Sequence, residues 1–350
     1  AHSVRWAKPV LEPRRLDPDQ LDLDVLELIA SLRHLLSSQL HRRFNPDRAA
    51  TTTQRRLKRL SDCGLVARFQ FHRRDGGGLP MCYSITPAGR RLCSQHGRRV
   101  EPEPALTAQR RDGPQERLRQ ARHDVRAAGW ALALDLALDG ERGLRLIGPE
   151  GSPISPPSRQ TASGPRAASL GDLSFAGGGT PHDFLRTEAN GASREVDRFQ
   201  TVRPDVTLRR ERDGSELLVE LDDRLPNAGG RAKLERYDHF LAGWSSMLAR
   251  YSRAPLPLVV FVCRDRSRAR QCAREADATL LAARAFPGEY PSAWEYQARE
   301  RILFAAERDV YEGVLAAWGL SRLPPRVREE SGGPAAREPL IEARELAMPG

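Results

Sequence analysis

The chain has 350 residues, 39% of them hydrophobic and 29% charged, with a formal net charge of +10. That length suits about two soluble domains with polar connectors, and the basic balance favours a polyanionic partner, nucleic acid or an anionic membrane face. No apolar run approaches the roughly 18 residues a membrane span needs, so membrane insertion is not expected. Nothing at the N-terminus reads as a signal peptide, and the five cysteines (Cys63, Cys82, Cys93, Cys263 and Cys272) have no paired zinc spacing along the chain. Reduced thiols and a cytoplasmic location are the expectation. Of the 56 lysines and arginines, only Lys8, Lys58 and Lys233 are lysine. With abundant Ala, Gly and Pro this indicates GC-rich coding. Where arginine is the default cation, a retained lysine points to chemistry that needs an ammonium group.

In chain order, residues 21–34 place Leu21, Val25, Leu28, Ile29 and Leu32 at helical spacing. Ser37 opens a second, short helix ending near Phe44, and Asn45-Pro46-Asp47 makes a capped turn. The third helix turns Ala50, Thr53, Leu57 and Leu60 inward, leaving Thr51, Thr52, Arg55, Arg56, Lys58 and Arg59 outward. Gly64 caps it, a strand follows to Phe71, and a Gly-rich turn carrying Arg73 and Arg74 leads to a returning strand and a short helix. Three helices and a hairpin with a basic tip predict an α+β winged helix-turn-helix over residues 21–96. In such a module the third helix enters the major groove while the wing's Arg73 and Arg74 meet phosphates. The run Tyr83-Ser84-Ile85-Thr86-Pro87-Ala88-Gly89 resembles the closing strand and turn of many bacterial winged-helix regulators.

Residues 97–116 read as a polar linker and residues 117–323 as a second domain, followed by a loose tail over 324–350. Within the second domain, the Pro/Ser/Gly-rich stretch 148–191 cannot bury enough apolar surface to offset its ordering entropy and is expected to be a disordered insertion. A helix after Arg117 presents Val125, Trp130, Leu132 and Leu136, and residues 143–147 form a short strand. Pro204-Asp205 opens a strand, Arg212-Asp213-Gly214 turns, and residues 217–222 form its hairpin partner. Next come a helix with Lys233, Leu234, Tyr237 and Leu241 in register, a buried strand over 257–265, and a helix from Ser267 to about Ala285. This order predicts a mixed-sheet α/β domain with helices on both faces.

The chemistry is expected in the hairpin. Asp205 and Glu220, on adjacent strands, could share one Mg²⁺, a hard cation that prefers oxygen ligands. Leu218, Glu220 and Asp222 face one side of their strand, Val219 and Leu221 the other. A metal there would polarise a scissile phosphate and activate water; the competing reading is ordinary strand-end surface charge. His123 could contact DNA or metal or be structural, and Tyr237 could pack in the core or touch a phosphate. None of the eight histidines forms the His-X-His tract of a histidine-cluster relaxase.

The Pro204-Asp205 and Glu220 pattern resembles the restriction-endonuclease-like PD-(D/E)XK nucleases. Asp222 stands where their lysine is expected, and Lys233 on the next helix could fold back as a migrated lysine. The whole layout, excluding the insertion, resembles the replication-relaxation family, related to the C-class mobilisation relaxases. The matching pieces are the winged helix, Arg122–Leu134, Arg203–Leu208, Leu217–Arg224 and Lys233–Leu241. This resemblance implies that Asp222, Lys233 and Tyr237 belong to the family's own pattern, and it implies nicking or replication initiation on mobile DNA. The site residues it suggests are Asp205, Glu220, Asp222 and Lys233, with Asp205 and Glu220 as metal ligands. Expected partners are double-stranded DNA at a plasmid or integrative-element origin and replication or transfer proteins, with a homodimer left open. The alternative is a non-catalytic accessory factor or repressor whose nuclease-like domain only docks.

Overall fold

The computed structural model describes residues 3–7, 15–72, 78–100, 114–138, 143–155, 185–187, 193–195, 200–222, 228–241, 248–251, 253–284, 298–321, 340–341 and 343–349. The chain is an α/β protein of two compact units. The first comprises Ala1–Asp139, Leu146–Ser152 and Asp205–Thr207, and the second Gly140–Arg145, Pro153–Pro204 and Leu208–Gly350.

The first unit opens with strand β1 (Ser3–Trp6) and continues with helix α1 (Gln20–Leu32), strand β2 (Leu35–Leu36) and helix α2 (Ser37–Phe44). Helix α3 (Ala50–Asp62), strands β3 (Val66–His72) and β4 (Gly78–Ile85) and helix α4 (Pro87–Gln95) follow. The four strands form one sheet in the order β1-β3-β4-β2. Asp19 and Asp22 close a capping box at the start of α1, each side chain taking a backbone N–H of the other. The buried face of α1 is wider than its spacing predicts: Val25, Ile29 and Leu32 are joined by Leu23, Leu26 and Ala30, while Leu21 and Leu28 are half-buried. Thr53, inside α3, bonds through its hydroxyl to His41 and Asn45 and so fixes the turn between α2 and α3. Ala50, expected inward, is exposed, because it starts the helix beyond the reach of α2.

The segment from Thr86 to Gly89 has a plain physical reading. Thr86 caps α4 by accepting the Gly89 N–H, and Pro87 occupies the first turn, where its missing N–H costs nothing. A Cβ at Gly89 would lie 2.2 Å from the Leu65 carbonyl oxygen, so only glycine lets α4 approach the strand that follows α3.

Helix α5 (Pro114–Ala137) was expected to begin the second domain. It belongs to the first unit, where Leu118, Ala121 and Val125 pack on Phe69, Phe71 and Cys82. Its apolar stripe matches the outer face of the β3–β4 hairpin, and that match decides its allegiance.

A seven-stranded sheet has the order β13-β12-β11-β10-β9-β8-β5, and its strands β9 to β13 lie wholly in the second unit. The strands are β5 (Leu144–Ile147), β8 (Val206–Arg210), β9 (Glu216–Leu221), β10 (Leu258–Cys263), β11 (Ile302–Ala306), β12 (Ala316–Gly319) and β13 (Ala343–Glu345). Strands β6 (Leu185–Thr187) and β7 (Ser193–Glu195) make a separate antiparallel pair. Strands β9, β10 and β11 run parallel, and β12 and β13 add antiparallel. Helices α6 (Ala228–His239) and α7 (Arg266–Arg284) supply Leu234, Tyr237, Ala269, Cys272 and Ala276 to a core shared with Leu218, Val259, Phe261 and Phe304. Short helices α8 (Ala298–Arg301) and α9 (Glu307–Tyr311) flank β11.

Two expected boundaries shift. Gly148–Ser155, placed in the insertion, is ordered, with Ile154 bridged to Val202; residues 156–184 lie outside the described residues. The tail expected to be loose contributes β13, and the Pro349 carbonyl accepts a bond from Arg210.

Candidate functional site

Strand β9 and the residue that follows it carry three acidic side chains at alternating positions, Glu216, Glu220 and Asp222, and each has a distinct set of partners. Glu216 is fully buried. It accepts two bonds from Nε of Arg250 (2.8 and 2.9 Å) and one from the Tyr251 hydroxyl (2.8 Å). That arrangement satisfies a desolvated carboxylate completely and reads as structural.

Two pleats along, Glu220 stands beside Phe261 of β10 in the parallel register. Its Oε1 accepts from the Tyr237 hydroxyl at 2.7 Å, and its Oε2 forms an ion pair with Lys233. The helix spacing of Lys233 and Tyr237 sets both on the face of α6 turned to β9. Lys233 folds back onto Glu220, and Tyr237 is both core and polar partner, stacked edge-on against Phe261. The expected metal chemistry fits this carboxylate poorly. Mg²⁺ takes open oxygens and keeps several waters, whereas Glu220 is 1% exposed with the chain's own groups on both oxygens.

Asp222 lies just past the end of β9, held by its N–H on the Val262 carbonyl. Its Oδ2 is 3.6 Å from Sγ of Cys272 and 3.8 Å from Sγ of Cys263. Sequence reasoning missed this grouping, because Cys263 ends β10 and Cys272 sits in α7 with no ligand-like spacing between them. The hydrogen bond with the neighbouring Cys272 thiol, and then burial, push the Cys263 thiol far above its usual range.

Asp205 is counted in the first unit, where His123 Nε2 lies 3.4 Å from its carboxylate. His123 also places Nδ1 3.8 Å from Asp124, a buried carboxylate that His34 reaches at 3.0 Å and Arg33 at 3.7 Å. Burial alone would raise the Asp124 carboxyl. The imidazoles of His123 and His34 and the charge of Arg33 outweigh it and hold the group well below the usual carboxylate range. His123 is therefore part of an ion-pair network inside the first unit.

On α3, Thr51, Thr52, Gln54 and Arg55 are exposed, and Lys58 is exposed beside its i+4 neighbour Asp62. Arg59 is exposed, as expected, and also ion-paired, whereas Arg56 departs from the expectation in being half-buried. Arg56 bridges Asp19 and Asp22, and Arg59 reaches Asp22 at 2.5 Å. The reason is the fully buried Asp22, whose charge at the start of α1 demands cationic partners. Arg73 and Arg74 lie outside the described residues.

The fold and these groupings define an α/β protein with a basic helical face in one unit and buried acid–cation clasps in the other. The model of the replication-relaxation family matches residues 26–247, and the chain belongs to that family. Membership sets it in the processing of replication or mobile-element DNA. No curated protein and no solved structure matches the chain. Among the described residues, no helix is long and apolar enough to cross a membrane.

Proposed function

We propose that the chain binds double-stranded DNA at the origin of a plasmid or integrative element, using its first unit as a winged helix-turn-helix. The observation that carries this reading is the α3 face: Thr51, Thr52, Gln54 and Arg55 are exposed together, while Arg56 and Arg59 are held by acids of α1. Short polar residues and arginine are suited to base edges, and Lys58 at the rim is suited to a phosphate. The second unit then acts as a nuclease-like docking domain whose buried clasps stiffen the sheet. Its partners would be DNA and replication or transfer proteins.

A second reading, cleavage of one DNA strand with Mg²⁺, is favoured by one observation: Lys233 meets Glu220, as a migrated nuclease lysine would. Its ammonium would stabilise charge developing on the scissile phosphate, with Asp222 as a further acidic group. It requires Glu220 to leave the clasp. One experiment tests both readings. Full-length protein is incubated with supercoiled DNA of its own replicon, with and without Mg²⁺, and binding and nicking are scored for wild type and Glu220→Ala. Salt-sensitive binding without nicking supports the first reading, and nicking lost in Glu220→Ala supports the second. Absence of binding overturns both.

A further inference from the structure

We propose that Asp222, Cys263 and Cys272 form a binding site for one Zn²⁺ ion. The three side chains come from the end of β9, the end of β10 and the second turn of α7, and their ligand atoms all lie within 4.8 Å of one another. The separations have the dimensions of a coordination sphere. Zn–S bonds of about 2.3 Å and a Zn–O bond of about 2.0 Å at tetrahedral angles place sulfur and oxygen about 3.5 Å apart. The observed contacts are 3.6 and 3.8 Å. In the metal-free chain both thiols donate S–H···O bonds to the same Oδ2 of Asp222, so the three ligand atoms already converge on one point. Two soft sulfurs with one carboxylate favour zinc over Mg²⁺ or Ca²⁺, which seek oxygen.

Cys272 lines a cavity of about 270 Å³ together with Arg231, Leu234, Glu275, Ala276 and Thr279. An ion arriving there would meet Cys272 first and leave its fourth position for water on that side. On binding, the two thiols each lose a proton to solvent and the carboxylate binds as the anion. The three cysteine-derived and aspartate bonds would pin α7 to the strand ends beside Glu220. This inference stands whether or not the second unit cleaves DNA.

The test uses the full chain, stripped of metal with a chelator and titrated with Zn²⁺ against a chromophoric competitor, then with Co²⁺ as a spectroscopic probe. One Zn²⁺ per chain, release of protons and a thiolate-to-cobalt charge-transfer band are the expected results. Cys272→Ser and Asp222→Asn should each weaken binding by at least about 10-fold, the loss seen when even an outer partner of a metal site is removed. Should the variants fail to fold, alkylation of the wild type decides. Zn²⁺ should slow modification of Cys263 and Cys272 and leave the rates at Cys63, Cys82 and Cys93 unchanged. Absence of stoichiometric Zn²⁺ binding, binding undiminished in Cys263→Ser/Cys272→Ser, or alkylation rates indifferent to Zn²⁺ would each overturn the proposal.

Discussion

The ammonium of Lys233 rests on the carboxylate of Glu220, and the two are unequally buried: the lysine side chain is 34% exposed and the glutamate 1%. A desolvated anion is thus neutralised by a cation that keeps contact with water, and the Tyr237 hydroxyl holds the other oxygen. Removing the cation strands a buried charge. Lys233→Met should therefore destabilise the second unit by about 2–3 kcal/mol, the lower end of the cost of breaking a buried pair because the lysine is partly exposed. Tyr237→Phe, which removes one hydrogen bond, should cost about 1 kcal/mol. Urea unfolding followed by tryptophan fluorescence measures both. Equal, negligible losses would show that Glu220 does not depend on its clasp.

Neighbouring arginines of α3 should separate into two phenotypes. Arg55 is exposed, and Arg55→Ala should weaken duplex binding and relax specificity by about 1–3 kcal/mol if it reads a base, with thermal stability unchanged. Arg56 is 21% exposed and joined to Asp19 and Asp22. Arg56→Ala should lower stability by about 1–2 kcal/mol, with any loss of DNA binding following from that. Gel-shift titrations at two salt concentrations, alongside melting curves, distinguish them. A stability loss in Arg55→Ala, or none in Arg56→Ala, would reverse the assignment.

What the sequence disclosed, and what it did not, divides along the range of the interaction. Local signals were legible: the inward Leu57 and Leu60 of α3, the Gly64 cap at φ +69, the Thr86 cap and the apolar run of β10 all follow from short-range chemistry. The pairing of Lys233 and Tyr237 with Glu220 was legible in part, because helix spacing put both on one face and the strand pleat put Glu220 opposite. Long-range choices were hidden. The capture of Arg56 and Arg59 by Asp22, the docking of α5 on Phe69 and Phe71, and the meeting of Asp222 with Cys263 and Cys272 depend on which surfaces the chain brings together. No periodicity encodes that. Strand β13 was missed for a related reason, since Ala343–Glu345 is too short and polar to announce a strand before β12 offers its edge.

Gly148 illustrates the same lesson in a testable form. A composition reading sees only the first glycine of a Pro/Ser/Gly stretch. In the structure its N–H donates to Oγ of Ser31 at 3.2 Å, that hydroxyl donates to the Leu146 carbonyl at 2.9 Å, and a Cβ at position 148 would fall 1.6 Å from the Ser31 carbonyl oxygen. The obstacle is backbone and cannot swing away. Gly148→Ala should destabilise the first unit by about 2–3 kcal/mol through overpacking, whereas Gly97→Ala, with open space around its Cβ but φ +68, should cost about 1 kcal/mol through strain alone. Melting curves of the two variants give the comparison, and equal losses would contradict the close contact.

The Asp124 network makes a prediction about pH. Its carboxyl is held well below the usual carboxylate range by His123, His34 and Arg33 in spite of burial. A carboxyl whose folded value is depressed contributes stability that is fully present above the unfolded value and is lost as pH falls through the folded one. The first unit should therefore lose stability on acidification below about 4, and Asp124→Asn should remove that part of the slope. At neutral pH the same substitution should cost about 2–3 kcal/mol, because His34 and Arg33 lose their shared anion while remaining partly solvated. Denaturant titrations of wild type and Asp124→Asn at neutral pH and at several values below 4 provide the measurement. The wild-type curve should converge on the variant's as acid protonates Asp124; curves that stay parallel throughout would mean that the network adds nothing to folding through this carboxylate.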